Sequence, residues 1–281
     1  MRRYRVVHTT GFDYDAEVVA SYNEARMLPI KSDSQLVFSS KLEIHPSGSA
    51  HEYIDFFGTR TVAFEVLEPH SVLEITANSV VELRPASETS ADHLEWARLA
   101  EAVTTQLELI DALTQTERTN PPAALAKAAR DLAKVNTPNQ TALEICKLIF
   151  GAMEYRHGHT GVHSIAADAW LRKIGVCQDY AHLAIGAMRA ANIPARYVSG
   201  YLHPQLEPKL GETVVGESHA WVEWWVGEWV AFDPTNDVSV TNRHIVVGRG
   251  RDYDDVPPLR GVYAGSNESK LNVKVEITRE V

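Results

Sequence analysis

Cysteine is scarce in this 281-residue chain: there are two, Cys146 and Cys177, and they form no C-x-x-C pair. That excludes a disulfide scaffold and leaves each thiol as core filler or as chemistry. Long apolar runs are missing as well; none approaches the ~18–20 residues that span a bilayer. The start, Met1–His8 (MRRYRVVH), carries the charge of a secretory leader but continues into polar residues, so the sequence predicts a soluble cytoplasmic protein with no membrane partner. Positive charge is also in deficit. The 27 basic residues against 37 acidic ones give a net charge of −10, which argues against nucleic acid as a partner. No segment reads as a basic arm or an acidic tail. What remains is ordinary for a folded protein: 44% apolar and 23% charged residues, in a chain long enough for about two domains.

Residues 4–84 read as strands and turns, with period-two alternation in the first half of Leu73–Leu83 and a turn at Phe56–Arg60 feeding the strand Thr61–Val66. The period then changes. Trp96, Ala100, Val103, Leu107 and Ile110 fall on one face of a helix, with Ser90 as an N-cap. Asn120-Pro121-Pro122 punctuates the chain, and an alanine-rich helix follows to about Val135. Thr137, Pro138 and Gln140 supply a cap, a first-turn proline and a capping-box partner for a helix running to about Tyr155. Its face of Ala142, Ile145, Cys146, Ile149 and Met153 places Cys146 in the core. The next helix opens at Gly175-Val176-Cys177 and ends before Pro194. Strands follow at 195–201, 219–226 and 229–233, and a last alternating one at 271–277. The whole predicts an α+β protein: an N-terminal antiparallel β domain over residues 1–86, then a core of helices packed on an antiparallel sheet over 87–281, with the last strand, 271–281, able to return to a sheet.

A nucleophilic thiol needs its anion. A helix N-terminus and a neighbouring imidazolium both favour it, and Cys177 sits at a helix start that Gly175 leaves tight. His219 opens one strand, and Asp233 closes the next. With Val226-Gly227-Glu228 as the loop, Trp225 faces Trp229 and Asp233 becomes the same-face diagonal neighbour of His219; a two-residue loop would put the pair on opposite faces. In the first register the carboxylate can orient the imidazole, the logic of a nucleophile–base–orienter triad.

The segments Gly175–Ala181 (GVCQDYA), Ile193–Tyr201 (IPARYVSGY), Ser218–Val222 (SHAWV) and Trp229–Thr235 (WVAFDPT) resemble the core of the bacterial transglutaminase-like family, whose members are often described as cysteine proteases. Gly250–Gly261 (GRDYDDVPPLRG) resembles the family's late segment. Asp55–Gly58 (DFFG) and Leu67–His70 (LEPH) resemble its N-terminal domain, so the likeness covers nearly the whole chain. It implies a papain-like core fold, with Cys177 as nucleophile, His219 as base and later acid, and Asp233 as orienter. It implies thiol-dependent amide chemistry through an acyl-enzyme on a peptide or protein amide substrate, with no cofactor. Water would make the protein a peptidase or amidase, and a lysine-type amine would make it an acyltransferase; both stay open, hydrolysis being favoured because water is always present. The backbone N–H of Cys177 is the oxyanion donor considered, with Trp170 as a further side chain. A non-catalytic peptide- or protein-binding module on the same fold is the alternative, and a missing triad residue would have favoured it.

Other signals are weaker. His157, His159 and His163 invite a metal reading, but their spacing is not H-E-x-x-H and Gly158 and Gly161 make the segment a loop; it leads toward Cys177 and could border a cleft. Trp221, Trp224, Trp225 and Trp229 crowd one hairpin and read as sheet packing. The run Asp252–Asp255 lacks the ligand pattern of an EF-hand, and no obligatory ion is expected.

Overall fold

The computed structural model describes residues 1–84, 94–158, 161, 164–265 and 268–281; Ser90, His159 and His163 lie outside them. Six strands come first: β1 (Arg2–Val18), β2 (Ala20–Ala25), β3 (Gln35–His45), β4 (Ser49–Ile54), β5 (Arg60–Val66) and β6 (His70–Leu83). Alternation drives their pairing. β1 turns Tyr4, Val6, His8 and Thr10 inward, and its antiparallel partner β6 answers with Leu73, Ile75, Ala77, Val81 and Leu83. The turn before β5 is made by Asp55, whose Oδ1 accepts the N–H groups of Phe57 and Thr59 at 2.9 Å.

The middle of the chain holds α1 (Trp96–Thr105), α2 (Leu107–Leu113), α3 (Ala123–Ala133), α4 (Pro138–Ala152), β7 (Glu154–Tyr155), α5 (Ala166–Arg172), β8 (Ile174–Gly175) and α6 (Cys177–Ala190). The single helix expected over Trp96–Ile110 is two. Gln106 is extended, with φ −115 and ψ 112, and the hydroxyls of Thr104 and Thr105 turn back onto the carbonyls of Glu101 and Ala102, competing with the helical ladder. The break changes the inward face: Leu99, Leu109 and Ala112 are buried, while Leu107 and Ile110 are 70% and 47% exposed. Helix α4 has the expected Thr137–Gln140 capping box but stops at Ala152, short of Tyr155. Glu154 and Tyr155 instead pair in parallel with β8, the Glu154 N–H donating to Lys173 O at 2.8 Å.

The C-terminal strands are β9 (Ala195–Leu202), β10 (Thr213–Trp225), β11 (Trp229–Asp233), β12 (Val238–Ser239), β13 (His244–Gly250), β14 (Leu259–Ala264) and β15 (Ser269–Arg279). The larger sheet runs β12-β11-β10-β15-β1-β6-β3, with β9 beside β10 and β13 beside β9; the smaller runs β14-β2-β5-β4. The last residues complete both sheets. β15 lies between β1 and β10, and β14 pairs with β2 from Leu259↔Ala25 onward. The architecture is α+β, as the sequence predicts, and α6 is the centre of its helical part. Every residue from Gln178 to Arg189 is buried, between α3, α4 and α5 and the strands β9 and β10. Arg189 ties that centre together, donating to the carbonyls of Ala112, Ala195 and Arg251 and to Thr119 Oγ1 at 2.8–3.0 Å. Among the described residues no helix is long and apolar enough to cross a membrane.

Candidate active site

Cys177 is the first residue of α6. Val176 before it is extended, with φ −113 and ψ 179, and the turn is closed from below by Asp179, whose Oδ2 accepts the Val176 N–H at 2.9 Å and whose Oδ1 accepts the Ser164 hydroxyl. A Cβ on residue 175 would stand 2.7 Å from Asp179 Cβ; glycine there is what lets the carboxylate fold under the helix start. The positive end of α6 is thus held at the thiol.

His219 and Asp233 arrive on a hairpin with the register the sequence predicts. Trp225 faces Trp229 and the ladder runs back to Val222↔Phe232; Val226–Glu228 form the loop, with Gly227 at φ +101. That alignment brings His219 Nε2 to 2.7 Å from Asp233 Oδ2. The carboxylate is fully buried and well supplied with donors. Oδ1 accepts the Thr235 N–H at 3.0 Å and the Asn236 N–H at 3.3 Å, and Oδ2 accepts Asn236 Nδ2 at 2.7 Å. A second imidazole joins them: His244 Nε2 lies 3.3 Å from the same oxygen.

Because both ring nitrogens face a carboxylate, each must carry a proton. His244 Nδ1 then accepts, from the Thr241 N–H at 3.2 Å, which fixes His244 as a neutral ring; burial lowers its pKa despite the pull of Asp233. His219 behaves differently. Burial disfavours its charge, but hydrogen bonds to Asp233 and Cys177, and the negative charge of both, raise its pKa to about 10. Burial would likewise raise Asp233, yet the bonds from His219 and His244 hold its carboxyl far below the usual range. With Nε2 committed to Asp233, Nδ1 is the His219 nitrogen left for the thiol.

Cys177 and His219 line one cleft of about 470 Å³, whose other walls include Tyr155, His157, Tyr197, Glu217, Tyr253 and the β15 residues Val273–Val275. Burial raises the phenols of Tyr155, Tyr197 and Tyr253, so they present neutral hydroxyls. His157 borders the cleft, with its ring edge-on to Tyr155 at 4.9 Å; the rest of the histidine loop falls outside the described residues. Trp170 does not line it; the Lys173 ammonium sits 2.9 Å from the centre of its ring. Nor do the four hairpin tryptophans: Trp221 and Trp224 are fully buried, and Trp229 carries the Arg196 guanidinium at 3.7 Å. Cys146 is at 0% exposure inside the helical core, and burial pushes its thiol pKa up.

Among the described residues, His219, Asp233 and His244 are the group with metal-ligand spacing, their ligand atoms all within 4.8 Å of one another. The shared Oδ2 already meets three N–H donors, and the geometry is accounted for by hydrogen bonds. The run Asp252–Asp255 is similarly engaged by protein groups: Asp254 with Arg118 at 2.6 Å, Asp255 with Arg251 at 2.9 Å, and Asp252 Oδ1 with the Asp254 N–H.

His244 and Asn236 are the site residues that sequence reasoning missed. Asn236 lies three residues after Asp233, a spacing suited to a local side-chain bond. His244 opens a separate strand, and only its place at the head of an apolar run, His244–Val247, sets it apart.

Residues 126–234 match the family model of the transglutaminase-like superfamily, and residues 4–82 match that of the bacterial transglutaminase-like N-terminal region. An uncharacterized protein of Mycobacterium leprae is 41% identical over 280 residues, covering 99% of both chains. Another, from Mycobacterium tuberculosis strain H37Rv, is 35% identical, covering 98% of this chain and 92% of that one. A protein-glutamine gamma-glutamyltransferase of Pseudomonas aeruginosa is 38% identical over 86 residues, 29% of this chain and 12% of that one. Among solved structures, a Cytophaga hutchinsonii protein described as a candidate cysteine protease superposes with a TM-score of 0.81 at 23% identity, covering 99% of this chain and 90% of that one. The chain therefore belongs to the bacterial branch of the transglutaminase-like superfamily, with the transglutaminase-like core following the N-terminal region that accompanies it.

Proposed function

We propose that this protein performs thiol-dependent amide chemistry on a peptide or protein substrate, with Cys177 as nucleophile, His219 as proton carrier and Asp233 as orienter. The observation that carries the reading is the His219 ring, bonded through Nε2 to a buried carboxylate 2.7 Å away and lining one cleft with a cysteine at a helix N-terminus. The Cys177 sulfur, as thiolate, attacks the amide carbonyl carbon. The developing oxyanion is met by the backbone N–H of Cys177, which lies in the first helical turn, where N–H groups have no acceptor within the helix. As the C–N bond breaks, the His219 proton passes to the leaving amine, and a thioester remains on Cys177. His219, now neutral, takes a proton from the incoming water or amine, and the thioester is released as acid or new amide. The stretch shared with the Pseudomonas glutamyltransferase supports a glutamine side chain as one form of the amide. A purely binding role leaves the buried charge at His219 and Asp233 without a use.

Reactivity of the two thiols tests this. With iodoacetamide at pH 6–7, Cys177 reacts at least about tenfold faster than Cys146, and His219→Ala slows the labelling of Cys177. Equal, slow labelling of both cysteines would overturn the assignment.

A further inference from the structure

The cleft lies where two strands part. β10 and β15 are hydrogen-bonded from Thr213↔Thr278 to Gly216↔Val275. Beyond that pair β10 continues against β9, from Glu217↔Leu202 onward, while β15 continues against β1 as far as Ser269↔Tyr14. A strand has two edges. Along Ser269–Lys274 the edge of β15 away from β1, which β10 occupies at Val275–Thr278, has no strand on it among the described residues. Its upper end, Val273–Val275, lines the same cleft as Cys177 and His219.

An unpaired strand edge is a template for another chain, because it presents N–H and C=O groups at the spacing of a sheet ladder. Natural sequences blunt such edges with lysine, proline, a bulge or inward-pointing charge. β15 carries Lys270 and Lys274 on the face opposite Leu271 and Val273, but it has no proline and its pairing with β1 is regular from Tyr4↔Arg279 to Tyr14↔Ser269. Its alternation is informative too. Leu271 and Val273 share a face with the buried Val275 and Ile277, yet are 54% and 56% exposed. The apolar stripe of the strand therefore continues out of the core and ends at the cleft.

Resting on the amide chemistry above, we propose that the substrate is taken as an extended peptide segment that adds to the free edge of β15 at Ser269–Lys274. This strand-like segment lays alternate side chains on Leu271 and Val273 and delivers its amide to Cys177. The main chain supplies the ladder bonds, so the preferred substrates are unfolded or flexible peptides rather than residues displayed on a rigid folded surface.

Protection of Cys177 from iodoacetamide measures this on the intact protein, as a ratio of rates with and without ligand. A randomised pool of acetylated pentapeptide amides slows Cys177 alkylation, whereas the same pool methylated on every backbone nitrogen, with its side chains intact but no donors, does not. In the double variant Leu271→Asn, Val273→Asn the protection, taken against that variant's own unprotected labelling rate, falls by about fivefold or more, since both side chains are covered by the peptide. Equal protection by the methylated pool, no protection by either pool, or full protection in the double variant would each overturn the strand-addition proposal. Failure of the chemical reading shows separately, as slow labelling of Cys177 with no peptide present, and the protection ratio remains measurable at that slower rate.

Discussion

Replacing Asp233 by asparagine isolates the electrostatic work done at the site. A His219 pKa raised from 6.5 to about 10 corresponds to about 5 kcal/mol of preference for the charged ring, at 1.36 kcal/mol per pH unit. The ring is nearly buried, its side chain 10% exposed, so burial alone would move it the other way. Asp233→Asn keeps the shape and removes the charge, leaving Cys177 to support the imidazolium alone. The His219 titration, followed by NMR of the ring protons, then falls from about 10 toward neutrality. Alkylation of Cys177 at pH 6 slows by about tenfold or more, because the thiolate loses a charged partner. Stability follows with a definite sign. His219, with its pKa raised, stabilises the fold fully below about pH 6.5, and that contribution is lost as pH rises through about 10. Asp233, with its pKa depressed, stabilises it above its ordinary pKa of about 4, and that contribution is lost as pH falls below that. The stability gap between wild type and Asp233→Asn is therefore widest between about pH 4 and 6.5, reaching about 3–5 kcal/mol for breaking a buried charge pair, and narrows on the alkaline side. Denaturant melts at pH 5.5, 7 and 10 measure it. A gap that stays constant with pH, or a His219 titration unmoved in the variant, would refute the claim that Asp233 holds His219 protonated.

Three further substitutions probe the surrounding structure. Gly175→Ala puts a methyl 2.7 Å from Asp179 Cβ and 2.9 Å from its Oδ2, displacing the carboxylate that accepts the Val176 N–H; a loss of about 1–2 kcal/mol is expected, with slower Cys177 alkylation, both read in one labelling-during-denaturation series. Arg189→Ala strips the donor from the carbonyls of Ala112, Ala195 and the half-buried Arg251 and from the Thr119 hydroxyl and lowers stability by about 3–5 kcal/mol in urea, while Lys127→Ala at the exposed Asp131 pair changes it by less than about 1 kcal/mol. For His244, glutamine can still donate to Asp233 and phenylalanine cannot. His244→Phe lowers the pH at which His219 titrates and costs about tenfold in acyl-enzyme formation, His244→Gln restores most of both, and equal behaviour of the two variants counts against a role in orienting Asp233.

How much of this was legible in the sequence depends on how local each contact is. The hairpin register was readable because Trp225-Val226-Gly227-Glu228-Trp229 has one economical loop, and that register alone puts His219 and Asp233 together. The α4 cap was readable for the same reason, its partners being three residues apart. The break at Gln106 was not. An apolar period of 3.6 counts side chains and is blind to two threonine hydroxyls bonding backward, so the stripe through Leu107 and Ile110 named the wrong face. The segment up to Tyr155 reads as helix because nothing near it in sequence announces its partners in β8, twenty residues on.

The same distinction separates the parts of the site. Cys177, His219 and Asp233 lie within the matched residues 126–234, on elements whose local signals are strong. The groups that set their charge come from farther away. Ser164 reaches the Asp179 cap from the loop before α5, and His244 reaches Asp233 from β13, a strand that pairs with β9 and not with the hairpin. A carboxylate buried at 0% exposure stays ionised only if its oxygens find donors, and for Asp233 the hairpin and the turn after it supply four: His219 Nε2, the Thr235 and Asn236 N–H groups and Asn236 Nδ2. Those contacts are local in sequence. His244 adds a fifth from outside the hairpin, and because its Nδ1 is occupied by the Thr241 N–H it gives Asp233 a donor without a second positive charge.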